Sequence, residues 1–199
     1  MAEPAVSRPR GRPRSEQVEH AIMAATLELL ADHGVGGLSV EAVAARAGVA
    51  KTTIYRRWPG KPELILAALA QSRGSVAEPP PGQSVRDDLI FMLRRMRANL
   101  TDDTIGRVLS RLIGESRDHQ DLLAEYLRRI VAPRRRRFED LLRRGIAEGV
   151  IRDGIDLPLA CEALLAPVLV GCWVPAGPRV TAEQIPALVD LLLVGLRPV

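Results

Sequence analysis

The stretch that decides the fold is Leu38-Ser39-Val40-Glu41-Ala42-Val43-Ala44-Ala45-Arg46-Ala47-Gly48-Val49-Ala50-Lys51-Thr52-Thr53-Ile54-Tyr55-Arg56-Arg57-Trp58-Pro59-Gly60-Lys61. Ser39 is a helix-capping residue, and Glu41 follows it in the first turn, where the helix dipole favours an acid. Gly48 permits a sharp reversal after this short helix, and Pro59-Gly60 ends a second one. The pattern therefore predicts a helix-turn-helix.

The charge of this stretch indicates a polyanionic partner. No acidic residue lies between Ala42 and Pro62, but five basic ones do: Arg46, Lys51, Arg56, Arg57 and Lys61. Five cations without a local acid cannot balance one another, and the phosphate backbone of a DNA duplex would neutralise them. Thr52 and Thr53 begin the second helix, where a recognition helix meets base edges. The alternative is a solvated helical hairpin.

The composition favours packed helices throughout the chain. Of the 199 residues, 47% are hydrophobic, 26% are charged and only 3% are aromatic, so aliphatic side chains must form the core. Apolar spacing predicts a first helix from Ser15 to about His33 and a fourth from Lys61 to about Ser75. The segment Glu78-Pro79-Pro80-Pro81-Gly82 predicts a domain boundary.

Five more helices are predicted beyond this boundary, so the whole chain is expected to be all-α with about nine helices. They begin at Ser84, Thr104, Asp118, Asp156 and near Gln184. The third of them, ending at about Val150, is expected to kink at Pro133. The start of the last is open, because Thr181 and Gln184 form a capping-box pattern while Pro186 would lose a helix hydrogen bond.

The helix-turn-helix resembles the DNA-binding domain of the TetR family, over roughly residues 15–75. The turn, Tyr55, the aromatic Trp58 and the Lys61-x-x-Leu64 pattern all match in register. The sequence departs from the family at Thr52, where Gly is common, and at Arg57, where His or Tyr is common. The Arg-Arg-Trp-Pro-Gly-Lys run resembles an actinobacterial-type branch. The second half is similar in layout alone.

The resemblance implies roles for residues of the helix-turn-helix. Those expected at base edges, because they lie on the recognition helix, are Lys51, Thr52 and Arg56. Those expected at phosphates are Ser39, Tyr55 and Lys61, and Thr53 is expected at either. Those expected in the core are Ile54 and Trp58, whereas Arg46 and Arg57 are expected to be solvated or to face phosphates.

The N-terminal segment, residues 1–14, is predicted to be a disordered basic arm. Its Arg8-Pro9-Arg10-Gly11-Arg12-Pro13-Arg14 run resembles the core of an AT-hook. Proline keeps such a chain extended, glycine lets it approach the groove floor, and Arg10 and Arg12 would enter the minor groove of A·T tracts. The alternative is a basic tail that adds only phosphate affinity.

The resemblance also implies a function for each domain: DNA binding for residues 15–77, and ligand binding and dimerisation for residues 83–197. One recognition helix reads only a half-site, so a homodimer is expected through the helices at about 157–174 and 184–196. An effector would shift the fourth helix and respace the recognition helices. The expected function is a repressor released from a palindromic operator by a small molecule. The alternative is an architectural protein that binds A·T-rich DNA without an effector.

The effector pocket is expected to be mostly apolar with few polar anchors. The candidate lining residues are Phe91, Met92, Met96, Asn99, Tyr126, Arg134, Phe138 and Trp173. Methionines suit an adaptable pocket because their side chains are unbranched and flexible. Arg134 shares a helical stripe with Phe138 and Leu141, and its alternative role is that of a paired structural residue.

Nothing in the sequence indicates an enzyme, a metal site or a cofactor. The histidines His20, His33 and His119 lack metal-ligand spacing, and Gly34-x-Gly36-Gly37 follows a helix instead of a strand. Cys161 and Cys172 lie eleven residues apart in one predicted helix, about 16 Å along its axis, which excludes a disulfide between them. Both are expected in the core or at an interface.

A membrane location is not expected either. The apolar stretch Leu157–Val174 is short for a bilayer span, contains Glu162 and is interrupted by Pro158 and Pro167. Residues 1–14 contain no apolar run that would serve as a signal peptide. The expected location is the cytoplasm, on the nucleoid, with double-stranded DNA as the partner.

Overall fold

The computed structural model of the protein describes residues 12–74, 78–100, 103–173 and 179–198, and every regular element in these ranges is helical. The elements are α1 (Arg12–Gly37), α2 (Val40–Ala47), α3 (Lys51–Tyr55), α4 (Lys61–Ser72), α5 (Val85–Leu100), α6 (Asp103–Gly114), α7 (Gln120–Tyr126), a π-helical segment (Leu127–Val131), α8 (Ala132–Ala147), α9 (Leu157–Trp173) and α10 (Ile185–Gly195). Because α7, the π-helical segment and α8 are continuous, the described part of the chain has nine helices, as predicted.

The first helix begins earlier than predicted. α1 starts at Arg12, three residues before Ser15, because a proline such as Pro13 is tolerated in the first turn of a helix. Arg12 and Pro13 are therefore helical, which corrects the expectation of an extended arm that ends at Arg14. Residues 1–11, including Arg8 and Arg10, lie outside the described residues.

α1 loses its helical geometry at the predicted stop, Gly34, where φ is 70° and ψ is −175°. The Glu115 carboxylate, which follows α6, lies directly against this break. It accepts hydrogen bonds from the backbone N–H of Val35 at 2.8 Å and of Gly36 at 3.1 Å. A side chain at position 34 would collide with Glu115, so the joint between α1 and α6 needs both a positive φ and a glycine.

Two hydrophobic cores hold the helices together. The first contains Ile22, Ile54 and Leu64 of the N-terminal half together with Leu109 of α6 and Tyr126 of α7. The second is formed by α5, α8, α9 and α10. α6 and α7 follow the proline-rich segment in sequence, yet they complete the core of the N-terminal half.

Local capping residues start the helices of the C-terminal half. The Ser84 hydroxyl accepts from the Asp87 N–H ahead of α5, and the Asp156 carboxylate accepts from the Leu159 N–H at the start of α9. Before α10, the Thr181–Gln184 capping box forms through two reciprocal bonds of 2.9 and 3.3 Å. The regular helix nevertheless begins at Ile185, which leaves the following proline in its first turn.

α7 and α8 meet at a π-helical segment that immediately precedes Pro133. A proline within a helix has no N–H to donate to the preceding turn, and a widened turn accommodates the ring. The predicted distortion at Pro133 therefore takes the form of a π-helical segment.

α9 carries both cysteines, as predicted. Cys161 is fully buried in the second core, and burial raises the pKa of its thiol to about 11. The thiol is therefore protonated near neutral pH and is a poor nucleophile. The side chain of Cys172 lies outside the described part of the structure. No helix among the described residues is both long and apolar enough to cross a membrane.

We expect the Glu115→Ala substitution to destabilise the protein. It removes the acceptor for two N–H groups at the break in α1, which lowers the free energy of unfolding by about 1–2 kcal/mol. Urea denaturation monitored by circular dichroism measures the change. Glu115→Gln is the matched control, since its amide oxygen still accepts a hydrogen bond, and it should retain most of the stability. Wild-type stability in the alanine variant would show that the joint is unimportant.

Candidate nucleic-acid interface and ligand cavity

The helix-turn-helix is built as its sequence predicts. The Ser39 hydroxyl accepts a hydrogen bond of 3.1 Å from the Ala42 N–H and caps α2. Gly48 ends this helix in the left-handed conformation, with φ at 66°. α3 is only five residues long, and its position is fixed by Ile54, which is fully buried in the first core. Trp58 packs against the same core, so both predicted core residues are confirmed there.

The opposite face of α3 is open to solvent. Lys51, Thr52, Tyr55 and Arg56 are all exposed, while Thr53 is half-buried. Residues four apart lie on one side of a helix, so Lys51 and Tyr55 form one row and Thr52 and Arg56 an adjacent one. Every residue proposed for the recognition helix therefore lies outside the core.

The fold balances three of the five cations that the sequence suggested were unpaired. Lys51 forms an ion pair of 2.9 Å with Glu41, and Arg46 forms one of 2.9 Å with Glu28 of α1. The Lys51 ammonium lowers the pKa of the Glu41 carboxyl through a hydrogen bond. The expectation that these charges cannot balance locally was wrong, because folding brings acidic residues from outside the run into contact with them.

Arg57 is the third balanced cation, and it is a structural residue. Its guanidinium contacts Glu19 at 3.1 Å and the Ser15 hydroxyl at 2.6 Å, and it lies 6.0 Å from the centre of the Trp58 ring. These contacts hold the end of the helix-turn-helix against the start of α1. They correct the expectation that Arg57 is solvated or faces a phosphate.

A cavity of about 80 Å³ lies in the C-terminal half and brings together five of the eight candidate ligand residues. The five are Met92, Met96, Asn99, Arg134 and Phe138. The other lining residues, none of them among the eight candidates, are Arg73, Arg95, Val131, Arg135, Leu165 and Leu169. One signal was available for Arg73: no other charged residue occurs between Glu63 and Glu78.

Among the described side chains, two further candidates, Phe91 and Tyr126, do not line the cavity. Phe91 is half-buried and packs against the second core, and Tyr126 is buried in the first core. Trp173 ends α9, and its side chain lies outside the described residues. Tyr126 is still near the charged side of the cavity: burial raises the pKa of its hydroxyl, whereas the charges of Arg73 and Arg134 lower it.

The C-terminal end of α4 connects the cavity to the helix-turn-helix. The Gly74 carbonyl accepts a hydrogen bond of 2.8 Å from the Arg134 guanidinium, and the Arg73 carbonyl accepts one of 3.3 Å from the Asn99 amide. Both donors line the cavity. The N-terminal end of α4 begins at Lys61, directly after the turn that follows α3. One helix therefore spans from the cavity to the recognition helix.

The sequence matches two family models. Residues 22–68 match the model described as bacterial regulatory proteins, tetR family, and residues 79–192 match the tetracyclin repressor-like C-terminal domain. The arrangement is that of helix-turn-helix transcriptional regulators, and the matched domains cover both halves of the chain. This chain belongs to the TetR family of DNA-binding transcriptional regulators.

Individual relatives agree with this assignment. The chain is 34% identical over 193 residues to the DNA-binding transcriptional repressor TetR of Mycobacteroides abscessus, covering 93% of this chain and 97% of that protein. It is 32% identical over 160 residues to the HTH-type transcriptional regulator YdeS of Bacillus subtilis, covering 80% of each. The crystal structure of the TetR family transcription regulator SCO0332 superimposes with a TM-score of 0.65 at 33% identity, covering 92% of this chain and 100% of that one. These relatives are regulators and not enzymes.

We expect Glu41→Gln to strengthen binding to DNA of arbitrary sequence. The substitution releases Lys51 from its ion pair and removes a negative charge beside the recognition helix, so affinity at low salt should rise about two- to fivefold. Fluorescence anisotropy at two salt concentrations measures it, and the gain should shrink at the higher one. Glu125→Gln is the matched control, because it removes an acid of α7 that is paired with Arg128. This variant should bind DNA with unchanged affinity. Equal gains in both variants would contradict the prediction.

Proposed function

We propose that the protein is a homodimeric repressor that leaves a palindromic operator when a small molecule binds in its C-terminal half. The observation that carries the proposal is the contact between the cavity and the C-terminal end of α4. A ligand that changes the cavity changes the position of α4, and with it the recognition helix. Operator and ligand would then oppose one another, each weakening the binding of the other by the same factor.

In the operator complex, Lys51, Thr52 and Arg56 would contact base edges, since the first two are exposed on α3 and Arg56 is exposed directly after it. Ser39, Tyr55 and Lys61 would hold phosphates, with Thr53 contacting either. The Ser39 oxygen already accepts a backbone hydrogen bond, which leaves its O–H free to donate to a phosphate. Arg10 of the basic arm would add a contact in the minor groove, whereas Arg12 belongs to α1. This role requires the protein to act on the nucleoid, in the cytoplasm.

Selection of binding sites from genomic DNA, followed by footprinting, tests the proposed function. The proposal is supported if one palindromic site is protected and the protein dissociates from that site when a small molecule is added. Uniform protection of A·T-rich DNA with no preferred site would instead support an architectural role. Full-length protein should be compared with protein lacking residues 1–11, because the arm contributes to affinity and to its salt dependence in both cases.

The proposed dimer is supported by apolar side chains left uncovered on the last two helices. Leu159 and Val170 of α9 and Leu191 and Val194 of α10 are exposed, Leu191 with 76% of its surface accessible. Contiguous exposed apolar surface is typical of an interface. α10 is itself held on α5 by a bidentate ion pair between Asp190 and Arg86, with bonds of 2.6 and 2.8 Å. The ion pair thus fixes the position of α10, the helix that carries part of the proposed interface.

We expect Leu191→Glu to dissociate the dimer, because two copies of the new carboxylate would be buried close together across a twofold axis. Light scattering at micromolar concentration should give about half the wild-type mass. Operator affinity should fall at least about a hundredfold, because each half-site is then bound alone. Leu127→Glu, at an exposed leucine in the π-helical segment, is the matched control and should leave a dimer. A dimeric Leu191→Glu variant would place the interface elsewhere.

A further inference from the structure

The ligand cavity has an unusual distribution of charge. One part of its wall is apolar and is formed by Met92, Met96, Phe138 and their neighbours, whereas four of the lining residues are arginines. No carboxylate lines the cavity among the described residues. An arginine-rich wall without acids, beside an apolar wall, indicates a ligand with an anionic end and an apolar body.

Two of the four arginines are already accounted for. Arg135 forms ion pairs of 3.2 Å with Glu139 and 2.6 Å with Glu162, and Arg95 is exposed to solvent. Neither needs a ligand, since carboxylates balance the first and water can solvate the second. The unbalanced charge of the cavity therefore belongs to the remaining pair, Arg73 and Arg134.

Arg73 is 93% buried, and its Nη1 has no hydrogen-bond partner in the described part of the structure. Such a nitrogen is rare, because a buried guanidinium N–H without an acceptor loses its hydration and gains no hydrogen bond in return. Arg134 donates to the Ile130 and Gly74 carbonyls, both at 2.8 Å, and to no carboxylate within the described ranges. Burial first and the charge of Arg73 second lower the pKa of Arg134, so the two like charges repel one another across the cavity.

We propose that the effector is an amphipathic carboxylate, bound by Arg73 and Arg134 at its anionic end and by Met92, Met96 and Phe138 along its apolar body. The inference rests on the proposed function for the role of the cavity, and it adds the chemical class of the ligand. A guanidinium binds a carboxylate through two parallel N–H···O bonds, which would supply the missing partner of Arg73 Nη1.

The size of the cavity shows why such a ligand would act on α4. At about 80 Å³ the space is smaller than a typical ligand pocket, so an occupant has to widen it. The two methionines are flexible enough to move, and Arg134 must turn from the Gly74 carbonyl to the carboxylate. The end of α4 then loses the Arg134 bond, one of two side-chain hydrogen bonds that join it to the ligand-binding half among the described residues.

Direct binding of a matched series of compounds to the full-length protein, without DNA, tests the inference. Octanoate, octan-1-ol, octylamine and octyl phosphate share one apolar chain and differ in the head group. Below micelle-forming concentrations, octanoate should bind at least about tenfold more tightly than the alcohol and the amine in isothermal titration. Equal affinity for octanoate and octan-1-ol would overturn the proposal. Tighter binding of octyl phosphate than of octanoate would also overturn the assignment of a carboxylate.

Variants of the two arginines identify the binding groups. Arg73→Met and Arg134→Met should each abolish the preference for octanoate over octan-1-ol, whereas Arg136→Met, at an exposed neighbour on α8, should retain it. Arg73→Met should also raise the thermal midpoint of the ligand-free protein, because it removes a buried charge that has no partner. If the preference survives in both cavity variants, the arginines do not bind the carboxylate and the proposal fails.

Adding operator DNA separates this inference from the proposed function. Octanoate that binds with the expected preference but never releases the operator would leave the carboxylate site intact and refute ligand-controlled repression through it. If a neutral or cationic compound releases the operator and carboxylates do not bind, the proposed function is supported. The assignment of the effector as a carboxylate is then refuted.

Discussion

The carbonyl groups of Arg73 and Gly74, at the C-terminal end of α4, link the N-terminal half of the protein to the cavity through hydrogen bonds. Carbonyls just beyond the end of a helix cannot accept from a helical N–H, so donors must come from elsewhere. Here they come from Arg134 and Asn99, which also line the cavity. A bond that α4 requires is thus supplied by the residues that a ligand would contact. A ligand that displaced these side chains would therefore also remove hydrogen bonds from the end of α4.

The N-terminal half is also attached to α6 and α7, through contacts of a different kind. Glu115 binds the broken end of α1, and α6 and α7 share one hydrophobic core with α1–α4. This attachment combines the Glu115 hydrogen bonds with an extensive apolar core, so it resists displacement more than two hydrogen bonds alone do. The contrast suggests a hinge in which α1 and α6 stay together while the C-terminal end of α4 moves. The movement would then tilt α4 and carry the recognition helix with it.

The helical fold could be predicted largely from local chemistry, because caps and turns depend on neighbouring residues. Ser39, Gly48, Asp156 and the Thr181–Gln184 pair all act as their sequence positions indicate. Contacts between distant residues could not be predicted in this way. The pairing of Glu115 with Val35 joins residues 80 apart in sequence. The cavity was only partly predicted for the same reason, since helical periodicity identifies apolar faces and does not show which faces meet.

The ion pairs of the helix-turn-helix bear on how this protein would achieve specificity. A surface with five unpaired cations would bind any DNA strongly, which weakens discrimination between sequences. Because folding pairs Arg46, Lys51 and Arg57 with acids, less positive charge is free to bind phosphates at random. In the proposed operator complex, Lys51 would exchange its ion pair with Glu41 for a contact with DNA, and that exchange would be more favourable where its ammonium also met a matching base edge. The acids of α1 and α2 would thereby favour an operator over other DNA, at some cost in total affinity.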